Sequence, residues 1–213
     1  MDKSIAAILI KTEELRDYDY RVTLFSAEGI ERAVMRGVRK KDAKLKFACQ
    51  PFAFCQYELS AKNNVIVTGA SQIENLSSIV VDVDKFTMGC IMLESVENSV
   101  NAVDSSLLFV ALLKSLKALL YSNADPRLVT MKFLQKILHE SGFCRFETSD
   151  DNTATVTGLI GAVAGSFLDD LDEIIADEET ILAGLYRIVT LFSEQMDCTL
   201  KSARGVLKLK KND

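Results

Sequence analysis

Between Arg32 and Lys46 the chain places Arg32, Arg36, Arg39, Lys40, Lys41, Lys44 and Lys46 against a single acid, Asp42. Guanidinium and ammonium groups at that density suit a phosphate backbone, because each phosphate they neutralise releases condensed counterions. Gly37 sits where the chain must leave an extended segment, and a glycine there turns without a Cβ clash and puts the following side chains on a loop. The aromatic residues Tyr20, Phe25, Phe47, Phe52, Phe54 and Tyr57 lie on either side of this run. Some of them could stack on bases, although in a small barrel such residues more often fill the core. The expected nucleic-acid site is therefore Arg32, Arg36, Arg39, Lys40, Lys41, Lys44 and Lys46, with Lys208, Lys210 and Lys211 as the other basic cluster.

Catalytic chemistry finds little support. The one histidine, His139, precedes Glu140 near the end of a helical pattern, with no serine or cysteine elbow in the sequence. Gly158, Gly161 and Gly165 resemble a phosphate loop only in spacing, because no Lys-Ser/Thr pair follows; small residues so placed let helices approach closely. The ten acidic residues from Glu147 to Glu179, among them Asp169, Asp170, Asp172 and Glu173, read as a solvated face rather than a cation site. Cys49, Cys55, Cys90, Cys144 and Cys198 form no CxxC pair, so the expectation is free thiols, no disulfide framework and no zinc. We expect no enzyme and no cofactor.

The elements that must position the basic run come in two kinds. The first 75 residues carry twelve Lys/Arg and ten Asp/Glu, a balance of +2, and the remaining residues carry thirteen and twenty, a balance of −7. The overall charge of −5 thus belongs to the second part. Alternation in Tyr20–Val22–Leu24 and Val65–Val67–Gly69, with breaks at Gly29, Pro51 and Asn63-Asn64, predicts strands near 4–12, 20–26, 29–36, 50–60 and 65–73. Five strands are what an OB barrel requires. SH3-like barrels and half-sandwiches share that pattern.

From Asp82 the period becomes helical through Phe86, Cys90, Leu93, Val96 and Val100. A third helix is capped by Asp125, starts at Pro126, faces inward with Leu128, Met131, Leu134 and Leu138, and stops at Gly142. A last one carries Ile181, Leu185, Ile188, Phe192 and Met196. The fold expected is α+β and multidomain: a five-stranded β-barrel over 1–78, then an all-α domain over 79–213. Apolar runs such as Leu107–Leu113 are far shorter than the roughly 20 residues of a membrane span, and Ser4–Ile10 reads as a first strand rather than a signal peptide. A cytoplasmic location with no membrane contact is expected.

Ile8-Leu9, Asp17-Tyr18-Asp19, Leu24-Phe25-Ser26, Glu28-Gly29, Arg36-Gly37-Val38-Arg39-Lys40 and Gln50-Pro51-Phe52 stand in an order and spacing that resemble RecO proteins. Leu93-Glu94, Gly142-Phe143 and Leu200-Lys201-Ser202 extend the likeness more loosely. The resemblance implies an OB fold that binds single- and double-stranded DNA, anneals complementary strands, and works with RecR to load RecA onto DNA coated by single-strand-binding protein, whose tail docks in the helical domain. Many members carry a four-cysteine zinc site after the Gly-Phe/Tyr position. Here Cys144 stands alone before Arg145-Phe146-Glu147-Thr148, so the zinc finger is not carried over. The charge pattern itself leaves two further readings open, an OB-fold RNA-binding or ribosome-associated factor and an adaptor whose helices dock partners.

Overall fold

A computed structural model describes residues 2–61, 64–143, 146 and 153–205. Asn63, Cys144, Arg145, Glu147, Thr148, Asp150, Asp151, Lys208, Lys210 and Lys211, all within stretches singled out above, lie outside the described residues. Two compact units result, one made of residues 1–81 with 105–110, the other of 82–104 with 111–213.

The first unit is a closed five-stranded barrel, β1 (Asp2–Glu14), β2 (Tyr20–Ser26), β3 (Gly29–Met35), β4 (Phe54–Ala61) and β5 (Val65–Glu74), joined in the order β1-β2-β3-β5-β4. β1 pairs with β4 through residues 2–8 and with β2 through residues 8–14, with a register shift at Ile10 that lets one strand serve both neighbours. The parallel pair Val34 and Ile66 brings β3 and β5 together. Alternate residues fill the interior: Ile5, Ala7 and Leu9, then Val22 and Leu24, Ala33 and Met35, Cys55, Tyr57 and Leu59, and Val67. This is the OB fold followed by helices that the sequence led us to expect.

β4 starts at Phe54 rather than at residue 50. Gln50 to Phe52 form a turn in which Ala53 N–H donates to the Gln50 carbonyl and Phe52 has a positive φ of 64°. Proline at 51 lacks the N–H a ladder needs, which delays the strand. Several residues that point out of the barrel are buried as well. Phe25 and Phe54 meet the ring of Phe109 edge-on, at 5.9 and 6.1 Å, inside the same unit.

The helices are α1 (Val83–Ser99), α2 (Ser105–Tyr121), α3 (Pro126–Glu140), α4 (Val156–Gly165) and α5 (Glu178–Gln195). Their starts follow from capping side chains: Asp82, Asp125, Thr155 and Asp177 each accept backbone N–H groups of the first turn. α3 is central, packing on α1, α4 and α5, and it ends at Gly142 with φ +77° as its sequence predicts. Met196 is the C-cap of α5 rather than part of its apolar face. Gly158 and Gly161 are buried in α4, so this stretch is helix and not a phosphate loop. A close approach is seen at Gly184 of α5, where a Cβ would lie 3.1 Å from Met131 Sδ and 3.4 Å from Leu159 Cδ2.

Candidate nucleic-acid interface

The basic loop after β3 is built as a chain of tight turns. Lys40, Ala43, Lys46 and Ala48 N–H groups donate to the carbonyls of Gly37, Lys40, Ala43 and Leu45, and Lys46–Cys49 closes as a 3-10 turn. Gly37 takes φ +63°, the left-handed turn that its position demanded. Val38 and Ala48 join the barrel core, and Leu45 and Cys49 pack against it. The buried Tyr57 hydroxyl donates to the Ala48 carbonyl at 2.9 Å. The apolar members of the loop therefore plug the barrel, and the cations interleaved with them have only the outside to occupy.

Arg36, Arg39, Lys40, Lys41, Lys44 and Lys46 are all exposed. Arg39 meets Glu14 at 3.1 Å and lies 5.4 Å from the centre of the Tyr20 ring; Lys40 lies 5.6 Å from that of Tyr18. Among the described residues Arg36, Lys40, Lys41, Lys44 and Lys46 form no ion pair. The turn between β1 and β2 is tied to the same loop, since Gly37 N–H donates to Asp19 Oδ1 at 2.7 Å and Arg39 N–H to the Tyr18 carbonyl at 3.2 Å.

Arg32 stands apart from these six. It projects from β3 into an open cavity of about 450 Å³ shared with Glu13, Leu15, Arg16, Arg21 and Asn64. The cavity is framed by the β1–β2 and β4–β5 connections and by β2 and β3, the surface over which OB folds hold oligonucleotides. Arg21 is loosely paired with Glu13 at 3.7 Å, both side chains about half exposed. Arg16, Arg21 and Tyr18 were absent from the sequence-derived site. Tyr18 is 54% exposed, whereas Phe25, Phe52, Phe54 and Tyr57 are buried and unavailable to a base. Phe47 is exposed and Tyr20 half-buried.

Residues 1–78 match the family described as "Recombination protein O N terminal". The barrel is thus similar to the N-terminal domain of RecO proteins. A curated relative, the DNA repair protein RecO of Thermobifida fusca (strain YX), is 30% identical over 141 residues, which cover 64% of this chain and 58% of that protein. The chain therefore aligns with somewhat over half the length of this RecO relative.

The looser RecO-like residues of the helical unit have a physical role. Glu94 of α1 accepts the backbone N–H groups of Lys201 and Ser202 through its two carboxylate oxygens, each at 2.8 Å, which ties the turn after α5 back to α1. On α3, Lys132, Gln135, Lys136 and His139 line a cavity of about 300 Å³ with Ala164 and Phe146. Lys132 Nζ donates to the Ala164 carbonyl at 2.8 Å, at the C-terminal end of α4 where a cation is favoured. Burial, with the Lys136 charge one turn on, lowers its pKa. Gln135 Nε2 donates to the Ile160 carbonyl at 2.9 Å, while its buried Oε1 has no partner among the described residues. His139 is mostly exposed.

The described cysteines are free, and burial pushes the Cys49 thiol up to about 11. Among the described residues no three His, Cys, Asp or Glu side chains gather as a metal site. Asp169, Asp170, Asp172 and Glu173 lie along a 3-10 turn at the surface. No described helix is long and apolar enough to cross a membrane.

Proposed function

We propose that this chain is a DNA-binding recombination and repair mediator that holds single and double strands on the RecO barrel and anneals complementary strands without consuming nucleotide. The observation that carries this reading is the plugged loop, whose cations are held outward by buried neighbours and largely lack carboxylate partners. Two phosphate backbones repel each other, and a fixed surface of unpaired positive charge lowers that repulsion while leaving base edges free to pair. Arg16, Arg21 and Arg32 add a second group of cations around the cavity on β2 and β3. Annealing needs no proton transfer or covalent step, so no catalytic residue and no cofactor is assigned.

Protein partners are assigned to the acidic helical unit. By family likeness these are RecR, with RecA loading as the outcome, and the tail of single-strand-binding protein. The α3 cavity, lined by Lys132, Lys136 and His139, is the place in that unit we assign to an incoming chain. The test mixes labelled complementary strands with the protein, with and without ATP, in DNA and matched RNA forms. ATP-independent acceleration of DNA annealing, lost when Arg39, Lys40 and Lys41 are all changed to Ala, is expected. An ATP requirement, full activity of the triple variant, or a strong preference for RNA would overturn the reading.

A further inference from the structure

We propose that Tyr18 is a base-stacking residue, which gives the barrel a contact to unpaired bases beside its contacts to phosphate; this rests on the DNA-binding reading above. The phenol ring stands at the turn between β1 and β2, and more than half of the residue is open to solvent. A large aromatic side chain more than half open on a short loop presents a flat apolar face that an unpaired base can cover. Its backbone is fixed on both sides: Leu15 N–H donates to the Asp19 carbonyl, Asp19 N–H to the Arg16 carbonyl, and Arg39 N–H to the carbonyl of Tyr18 itself. The Asp19 carboxylate accepts the Gly37 N–H. The backbone that carries the ring is thus held in place, so less of the loop has to be ordered on binding.

Its surroundings match what an unpaired base with its phosphate requires. Lys40 Nζ lies 5.6 Å from the ring centre; exposed Arg16 stands two residues before Tyr18, and exposed Lys41 follows Lys40 on the connected loop. Stacked aromatic rings beside a cationic track are the common device for holding single strands, tolerant of sequence because every base has a flat face. Tyr20, the second ring of the pair, is half-buried, packs on the core, and lies beside Arg39, which is itself held by Glu14. Of these two tyrosines, Tyr18 is the one more open to a base.

The experiment compares binding of the full chain to a labelled thymidine strand and to an abasic strand of equal length, which carries the same phosphates but no bases. Tyr18→Ala is expected to weaken binding to the thymidine strand about tenfold and leave the abasic strand unaffected. Tyr18→Phe should keep wild-type binding, since the ring and not the hydroxyl is used, and Lys40→Ala should weaken both strands alike. An unchanged melting temperature for Tyr18→Ala is expected from the exposed position. Equal losses on both strands, or no loss on either, would overturn the stacking role. Wild-type protein that binds neither strand would instead defeat the DNA-binding reading itself.

Discussion

In the barrel, five loop cations between Arg36 and Lys46 meet no described carboxylate, whereas in the helical unit Arg127 holds Asp125 at 2.7 Å and Lys136 holds Glu140 at 2.6 Å. The Glu94 carboxylate is likewise spent on two backbone N–H groups. Arg127 with Asp125 and the Glu94 carboxylate are thus used internally, at a helix cap and in fastening a turn. Apart from Arg39, which meets Glu14, the cations of the barrel loop have no carboxylate partner among the described residues, and the loop is held by Val38, Leu45, Ala48 and the Tyr57 hydroxyl instead. Unpaired like charges repel and lower stability, so a fold that fixes them in place is arranged for something outside it.

The largest expected effect on stability comes from the helical side. Glu94→Ala leaves two N–H groups without their charged acceptor and should cost about 2 kcal/mol in denaturant unfolding while leaving DNA affinity unchanged. A matching loss of DNA affinity would break the division of labour. On the barrel side, Tyr57→Phe removes the donor to the Ala48 carbonyl and should cost about 1 kcal/mol. Unlike the Glu94 variant it should also weaken DNA binding, since it loosens the plugged loop. Binding unaffected by Tyr57→Phe would mean that the loop needs no such anchor.

The smallest effect belongs to a surface pair. Glu140→Gln should cost a few tenths of a kcal/mol, as exposed ion pairs do. The hydrogen bond from Lys136 holds the Glu140 carboxyl below its ordinary value, with smaller help from His139. A depressed carboxylate contributes stability that is complete above its unfolded pKa and fades as the pH falls through the folded one. The difference between wild type and Glu140→Gln should therefore shrink on acidification below the ordinary glutamate range; a difference that grows there would contradict the pairing.

The strands were legible because Val22 and Leu24, or Val65 and Val67, alternate with outward residues, and a period of two is the mark of a strand with one face buried. The third helix was legible from Asp125, Pro126 and Gly142, whose roles are local. The cations themselves were legible too, but the anchoring of the loop that carries them was not. That depends on Val38 and Ala48 reaching the same core as Ile5 and Leu59, contacts between distant parts of the chain. Tyr18, Arg16 and Arg21 were missed for the same reason. Only the closed barrel brings the β1–β2 turn beside Gly37 and Arg39, and only the pairing of Arg21 with Val34 and of Thr23 with Arg32 places two arginines on one outer face. Phe52 and Tyr57 misled in the other direction: both suited stacking by type, and both are fully buried.

The claim that the plugged loop is the DNA contact is tested most directly by the salt dependence of single-strand binding. If about five of the basic residues between Arg32 and Lys46 reach phosphates, the log-log slope should be near −3.5, roughly a hundredfold loss of affinity between 50 and 200 mM salt. Changing Arg39, Lys40 and Lys41 together to Ala should flatten that slope by about two units. A slope that the triple variant leaves unchanged, or wild-type binding indifferent to salt, would contradict the account.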